Sequence, residues 1–283
     1  MKVAIYTLGC KVNQYETQAM EQTLRARGHK VVDFSSDADA YVVNTCSVTA
    51  VSDQKSRQVI HRAKRQHPAA VMAVCGCYPQ THAEAVRELE VDLIAGTGDR
   101  EGFVTLLEEA AAGKKRLEAI DKSFERRTFE VLPAGGMEGR TRAMLKIEDG
   151  CVNFCSYCII PYARGPVRSL PLERAVEQTR QLAAEGYREI VLTGIEISSW
   201  GHDLKNGLTL IDLLESLSAA FTSASVSASG RKTCLYTGCI SGGKRRSSLS
   251  SATFSTSLYA LRMAGLSYLM GVGISPVRIS LAS

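Results

Sequence analysis

The segment CVNFCSYC, residues 151–158, presents three cysteines within eight residues: Cys151, Cys155 and Cys158. Thiolate sulfur binds iron–sulfur clusters and zinc. A cluster of four irons normally takes four cysteines, so a compact set of three predicts that one iron stays open for another ligand. The alternative is a structural zinc site, which is closed by four ligands. No cysteine follows until Cys234, and the five histidines show no ligand spacing.

The CxxxCxxC spacing, with Tyr157 just before the last cysteine, resembles the signature of radical S-adenosylmethionine enzymes. The resemblance implies a [4Fe-4S] cluster on Cys151, Cys155 and Cys158, whose open iron is chelated by the methionine moiety of S-adenosylmethionine. Cleavage of that molecule releases a 5′-deoxyadenosyl radical, so the cofactor supplies the difficult chemistry. The later segment TGIE, residues 193–196, resembles the family segment that approaches the methionine amino group. It adds Gly194 and Glu196 to Tyr157 as expected cofactor-binding residues.

A second set of three cysteines follows predicted strands near the N-terminus: Cys10 in TLGC, Cys46 in NTCS and Cys77 in CGCYPQ. Because the carboxyl ends of parallel strands share one edge of a sheet, these residues can converge there. A lone cysteine is more often a small buried hydrophobe. That interpretation suits Cys75, which lies inside the apolar strand AVMAVC, residues 70–75.

Alternating strand and helix patterns predict an α/β protein whose N-terminal domain, residues 1–112, is an open parallel sheet that carries a cluster. The pattern predicts strands at 3–7, 30–34, 41–44, 71–75 and 93–95, and helices at 14–27, 51–65, 81–89 and 100–112. A charged and turn-rich stretch, residues 113–139, predicts a linker.

The order of strand, loop, helix and strand in residues 140–218 predicts the beginning of a radical-SAM (β/α) barrel. We expect a strand at 142–148 that leads into the cysteine loop, a helix at 171–185 and a strand at 189–192. Arg164, in the run PYARG, is either a residue that orients a charged ligand or a surface arginine.

Three N-terminal motifs extend the resemblance from the superfamily to the methylthiotransferases: TLGCKVNQYET (7–17), VVNTCSVT (42–49) and CGCYPQ (75–80). The resemblance implies a second [4Fe-4S] cluster on Cys10, Cys46 and Cys77. TLGCKVNQYE and CIIPYARGPVRS (158–169) resemble the branch that acts on tRNA threonylcarbamoyladenosine. Isopentenyladenosine tRNA and ribosomal protein S12 are the substrates of the alternative branches.

The implied reaction inserts sulfur at C2 of N6-threonylcarbamoyladenosine-37, in the tRNA anticodon loop, and methylates it. S-adenosylmethionine serves both as methyl donor and as radical source, and a reducing electron donor is required. The N-terminus has only a short apolar run, so we expect no membrane segment. Nine cysteines without an export signal predict reduced thiols and a cytoplasmic protein.

The C-terminal part departs from this pattern. Residues 216–283 contain seven Lys or Arg, no Asp or Glu, and 17 serines, so the net charge of +5 comes from this region. Residues 219–283 are expected to be a disordered, low-complexity tail. The absence of every acidic residue suggests that this segment is a frameshifted or otherwise aberrant translation product. Two alternatives to an active methylthiotransferase follow: an inactive truncated fragment of such an enzyme, and a zinc-stabilised nucleic-acid-binding protein.

Overall fold

A parallel six-stranded sheet, in the order β2-β1-β3-β4-β5-β6, forms the N-terminal domain. A computed structural model describes residues 1–113, 116–136, 140–229, 235–237 and 277–282. The strands are β1 (Lys2–Thr7), β2 (Lys30–Val32), β3 (Ala40–Thr45), β4 (Val71–Gly76), β5 (Leu93–Ala95) and β6 (Leu117–Ala119). The helices are α1 (Lys11–Ala26), α2 (Ala50–Gln66), α3 (Cys77–Thr81), α4 (Ala83–Arg87) and α5 (Arg100–Ala111).

The central strands of this sheet are buried on both faces, as expected for a parallel sheet covered by helices. Alternate residues of β3 and β4 therefore enter two different cores. Val42 and Cys75 pack on the side of α1 and α5, whereas Val43 and Val74 pack against α2 and α4. Cys75 is fully buried among apolar side chains, which confirms its interpretation as a packing residue.

The predicted α/β class and the parallel arrangement are confirmed, with two local differences. The helix expected at 81–89 is the shorter α4, and a separate short helix, α3, precedes it. His82 separates the two, because its φ of −134° and ψ of 51° lie outside helical geometry. The stretch expected as a linker contributes β6, which pairs in parallel with β5 at the sheet edge. This strand has only three residues, and its central residue is charged. The charged sequence around it therefore indicated a linker and not a strand.

A second parallel sheet, in the order β11-β12-β10-β7, begins the (β/α) barrel. Its strands are β7 (Arg142–Lys146), β10 (Glu189–Thr193), β11 (Leu235–Thr237) and β12 (Val277–Ala282). A separate antiparallel pair consists of β8 (Glu148–Asp149) and β9 (Arg168–Ser169). The helices are α6 (Ile160–Arg164), α7 (Leu172–Ala184) and α8 (Leu210–Ser229).

Two strands of this sheet, β11 and β12, and the end of α8 fall within residues 219–283, which were expected to be a tail. β12 lies beside β10, and its Ile279 is buried in the barrel core. Its sequence VRISLA alternates apolar and polar residues, a strand pattern that the surrounding serines hide. The rest of the expected tail, residues 230–234, 238–276 and 283, lies outside the described residues.

Helix α1 belongs to both domains. Met20 and Leu24 pack against the first sheet, whereas Tyr15 and Ala19 pack into the barrel core. The Tyr15 hydroxyl donates a hydrogen bond to the carbonyl of Leu132 at 3.0 Å. Among the described helices, none is both long and apolar enough to cross a membrane.

Two glycines with the same backbone angle provide a test of the turn that precedes Cys77. Gly76 and Gly113 both have φ +100°, but a Cβ atom at Gly76 would lie 2.5 Å from the Thr45 carbonyl oxygen, whereas one at Gly113 would meet nothing within 4 Å. We expect Gly113→Ala to lower the free energy of unfolding by about 1–2 kcal/mol through backbone strain alone. Gly76→Ala should lower it by a further ~1–3 kcal/mol through overpacking.

Urea unfolding of both metal-free variants measures the difference. Equal losses at the two positions would show that the contact with Thr45 carries no energy.

Candidate metal centres

The first cysteine triad lies at the carboxyl edge of the N-terminal sheet. Each cysteine follows the end of one of three neighbouring strands, as expected from the sequence. Cys46 and Cys77 come directly after β3 and β4, and Cys10 lies three residues after the end of β1. Cys46 and Cys77 are buried and Cys10 is half-buried. Burial, opposed by the charge of Arg164 and helped by the nearby Cys10 and Cys46 sulfurs, raises the pKa of the Cys77 thiol to about 11. The three side chains are therefore close enough to interact electrostatically.

The side chain of Asn13 fixes the turns that carry two of these cysteines. Its Nδ2 donates hydrogen bonds to the carbonyls of Leu8 and Thr45, both at 2.8 Å. Its Oδ1 accepts a weak hydrogen bond from the Cys10 Sγ at 3.8 Å. Gly9, with φ +96°, completes this turn, because a Cβ there would lie 2.7 Å from the Cys46 sulfur. Space beside that sulfur thus depends on the glycine.

The second triad lies in an open loop between β8 and α6. Cys151 and Cys158 are half-buried and Cys155 is exposed. The loop is anchored at its start, where the Cys151 amide donates to the Gly165 carbonyl at 3.0 Å. Gly150 has φ +94°, and a Cβ there would lie 2.1 Å from the Pro166 carbonyl oxygen. The backbone on either side of the loop is therefore tightly packed, while Cys155 near its middle is exposed.

The TGIE segment approaches this loop after β10. Glu196 accepts a hydrogen bond from Ser198 Oγ, and its second carboxylate oxygen accepts one from Asn153 Nδ2 at 3.4 Å. Asn153 belongs to the cysteine loop, so the predicted residue Glu196 lies beside it. Tyr157, in contrast, is 90% exposed.

Glu148, which the sequence patterns did not identify, binds the backbone of the TGIE segment. Its Oε2 accepts hydrogen bonds from the amides of Ile195 and Glu196, both at 2.8 Å. Its Oε1 is buried without a partner among the described residues. Burial, and then the charge of Asp149, raises the pKa of Glu148 to about 8. Gly194 is required here for packing, because a Cβ would lie 2.8 Å from Glu148 Oε2.

A buried ionic network joins the two triads. Glu16, on α1, pairs with Arg164, with Arg100 at 2.9 Å and with Lys146 at 3.3 Å. Although burial alone raises the pKa of Glu16, the positive charges of Arg164, Arg100 and Lys146 lower it to about 2. Asp149 pairs with the same Arg164 and Lys146 at 3.4 Å.

The expectation of a surface arginine at Arg164 was wrong. Its side chain is fully buried at the domain interface, bound to Glu16, Asn13 and Asp149. No local sequence pattern reveals the pairing with Glu16, because the partners lie 148 residues apart. The alternative, that Arg164 orients a charged ligand, stays a prediction.

The donor sets suit clusters better than single ions. No three His, Cys, Asp or Glu side chains in the described part of the chain are arranged to hold one metal ion. In a cluster each cysteine binds a different iron, so the ligands stand farther apart than around one ion. Three thiols at neighbouring strand ends, with space preserved beside Cys46 by Gly9, fit that wider geometry. The second triad offers three more thiols within one loop.

Two family descriptions match consecutive parts of the chain. Residues 2–96 match "Uncharacterized protein family UPF0004", and residues 145–242 match the "Radical SAM superfamily". The first region contains β1 to β5 of the N-terminal sheet, the second contains β10 and β11 of the barrel sheet, and each contains one cysteine triad. The fold and the site therefore define a radical SAM protein with an additional N-terminal domain.

Curated relatives narrow this class. The chain is 46% identical over 205 residues to "Threonylcarbamoyladenosine tRNA methylthiotransferase MtaB" of Bacillus subtilis, which covers 72% of this chain and 46% of the relative. It is 41% identical to the protein of the same name from Aquifex aeolicus, with 77% and 53% covered. A "tRNA-2-methylthio-N(6)-dimethylallyladenosine synthase" of Pelotomaculum thermopropionicum is 34% identical, with 76% and 50% covered. The chain belongs to the methylthiotransferase family and spans about half the length of these relatives.

A solved structure supports the fold alone. The radical S-adenosylmethionine methyltransferase TsrM of Kitasatospora setae, solved with tryptophan and a SAM analogue, superposes with a TM-score of 0.55 at 15% identity. The match covers 83% of this chain and 54% of TsrM.

The raised pKa of Glu148 predicts a pH-dependent stability. Between about pH 5 and pH 8 the folded state holds a proton that the unfolded state has lost, so the free energy of unfolding falls as the pH rises. Glu148→Gln should remove up to about 5 kcal/mol of this dependence, because the amide oxygen still accepts from Ile195 and Glu196 without ionising.

Urea unfolding of the metal-free protein at several pH values in this window measures the effect, with Glu177→Gln on the exposed face of α7 as the matched control. A variant that keeps the pH dependence of the parent would contradict the assignment.

Proposed function

We propose that the protein is a tRNA methylthiotransferase that converts N6-threonylcarbamoyladenosine-37 to its 2-methylthio derivative by radical SAM chemistry. The observation that carries this proposal is the pair of cysteine triads, each in its own domain, with one buried ionic network between the two domains. The names of the curated relatives supply the reaction and the substrate.

Cys151, Cys155 and Cys158 would hold a [4Fe-4S] cluster with an iron open to S-adenosylmethionine, and Cys10, Cys46 and Cys77 would hold a second [4Fe-4S] cluster. Together, the bound groups supply the radical that activates an aromatic C–H bond, the sulfur and the methyl group. A reducing electron donor is required, and we expect the cytoplasm as the compartment.

The chain's own residues position the cofactor. Glu196 lies within hydrogen-bond distance of the cysteine loop through Asn153, where its carboxylate can face the methionine amino group. Gly194 and Glu148 hold the backbone that presents it. Tyr157 is exposed beside Cys158, where its ring is available to cover bound S-adenosylmethionine.

One face of α2 fits an RNA partner. Lys55, Arg62 and Arg65 are exposed and lie on one side of the helix by their spacing. None of the three has an ion-pair partner among the described residues. Such unpaired cations can bind phosphates of a nucleic acid backbone.

Anaerobic reconstitution with iron and sulfide tests the two-cluster proposal. We expect about eight irons per chain and formation of 5′-deoxyadenosine in the presence of a reductant and S-adenosylmethionine. Substituting Cys10, Cys46 and Cys77 together by alanine should leave about four irons and preserve nucleoside formation. Substituting the other triad should also leave about four irons but abolish nucleoside formation.

Cys75→Ala is the matched control, since this buried cysteine lies two residues from Cys77 and should keep about eight irons. About four irons and no nucleoside in the parent would favour the inactive fragment. Zinc without iron or sulfide would favour the zinc-stabilised alternative.

The substrate is tested with two modified tRNAs. We expect the reconstituted protein to add a methylthio group to tRNA that carries threonylcarbamoyladenosine at position 37, detected as a mass increase in the digested nucleoside. tRNA that carries isopentenyladenosine, and ribosomal protein S12, should remain unmodified. Modification of either of these instead would reassign the protein to another branch of the family.

A further inference from the structure

Arg164 reaches from the radical-SAM loop into the N-terminal domain. It ends α6, six residues after Cys158, and is fully buried. One guanidinium nitrogen, Nη1, donates to Glu16 and, at 3.4 Å, to Asp149. The other, Nη2, donates to Asn13 Oδ1 at 2.7 Å.

Asn13 brings this charge next to the first triad. The same Oδ1 atom accepts from the Cys10 sulfur, while Nδ2 is bound to the turns that precede Cys10 and Cys46. Only one side chain therefore separates the guanidinium from the N-terminal cysteines.

The surrounding network does not cancel this charge. Arg164 shares the interface with three other basic side chains, Arg100, Lys146 and Arg168. Glu16 and Asp149 are the carboxylates whose pKa values these cations lower. Glu130, which accepts a hydrogen bond from the Arg100 amide, adds a third carboxylate. With Glu148 protonated, because burial raises its pKa to about 8, four cations face three anions. The network remains positive next to the triad.

We propose that Arg164 is a positioning residue that sets the reduction potential of the cluster on Cys10, Cys46 and Cys77 through its charge. The inference rests on the proposed function, because it requires a cluster at that triad. One-electron reduction adds a negative charge, which a nearby cation stabilises in a medium of low dielectric constant. The radical-SAM domain thereby tunes a cluster held by the other domain.

Potentiometric titration followed by electron paramagnetic resonance tests this, with a chemical reductant as electron source. The background chain carries alanine at Cys151, Cys155 and Cys158, so that only the N-terminal cluster contributes. Arg164→Gln should shift the reduction equilibrium towards the oxidised form at least tenfold, which is about 59 mV for a one-electron couple. Arg164→Lys keeps the charge and should stay close to the background.

Two further variants separate charge from structural disturbance. Glu16→Gln removes a neutralising carboxylate and should shift the potential upward, opposite to Arg164→Gln. Arg168→Gln, in the same network but bound to Asp149 and to the Arg164 and Pro166 carbonyls, is the matched control and should change little.

The proposal is overturned if Arg164→Gln leaves the potential unchanged, or if Arg168→Gln shifts it equally. If Arg164→Gln does not fold or takes up no cluster, Glu16→Gln decides: an upward shift supports the proposal, and no shift or a downward one overturns it. A background chain without any cluster would instead refute the proposed function, and this inference with it.

Discussion

The buried carboxylate of Glu16 is the constraint on which the arrangement of the two domains depends. A charge removed from water is costly unless it is paired and fully hydrogen-bonded. Here three cations from three different segments meet it: Arg100 on α5, Lys146 on β7 and Arg164 on α6. Because these segments belong to both domains, Glu16 can be satisfied only when the barrel is docked on α1. Loss of one partner from such a network typically costs about 3–5 kcal/mol.

This constraint also fixes the two cysteine triads with respect to each other. Glu16 lies six residues after Cys10, and Arg164 lies six residues after Cys158, so their ion pair joins the segments that carry both triads. Asn13 extends the connection to Cys10 by accepting from the guanidinium and donating to the two cysteine turns. The proposed reaction, which would use two clusters on one substrate, needs them at a fixed separation. A packed ionic interface provides that better than a flexible linker would.

Sequence patterns could predict what is local or repeated. Apolar runs of strand length separated by amphipathic helices gave the parallel sheet, and the sheet geometry in turn brought Cys10, Cys46 and Cys77 to one edge. The pairing of Glu16 with Arg164 could not be predicted, because it depends on docking between domains and each residue alone suits a solvated surface. The sequence patterns also did not predict strands β6 and β12, for a different reason. One is a three-residue edge strand, and the other is surrounded by serine-rich sequence.

The two triads differ in exposure in a way that fits different chemistry. Cys46 and Cys77 are buried, and Cys10 lies half-buried beside the interface, so a group bound there is shielded and exchanges little with solvent. Cys155 is exposed on a loop whose ends are tightly packed. An open coordination position needs this access, since a ligand must enter and its products must leave. Solvent exposure and nearby charge both influence cluster potentials. Burial beside a positive network therefore distinguishes the N-terminal site from a loop site that is open to solvent and substrate.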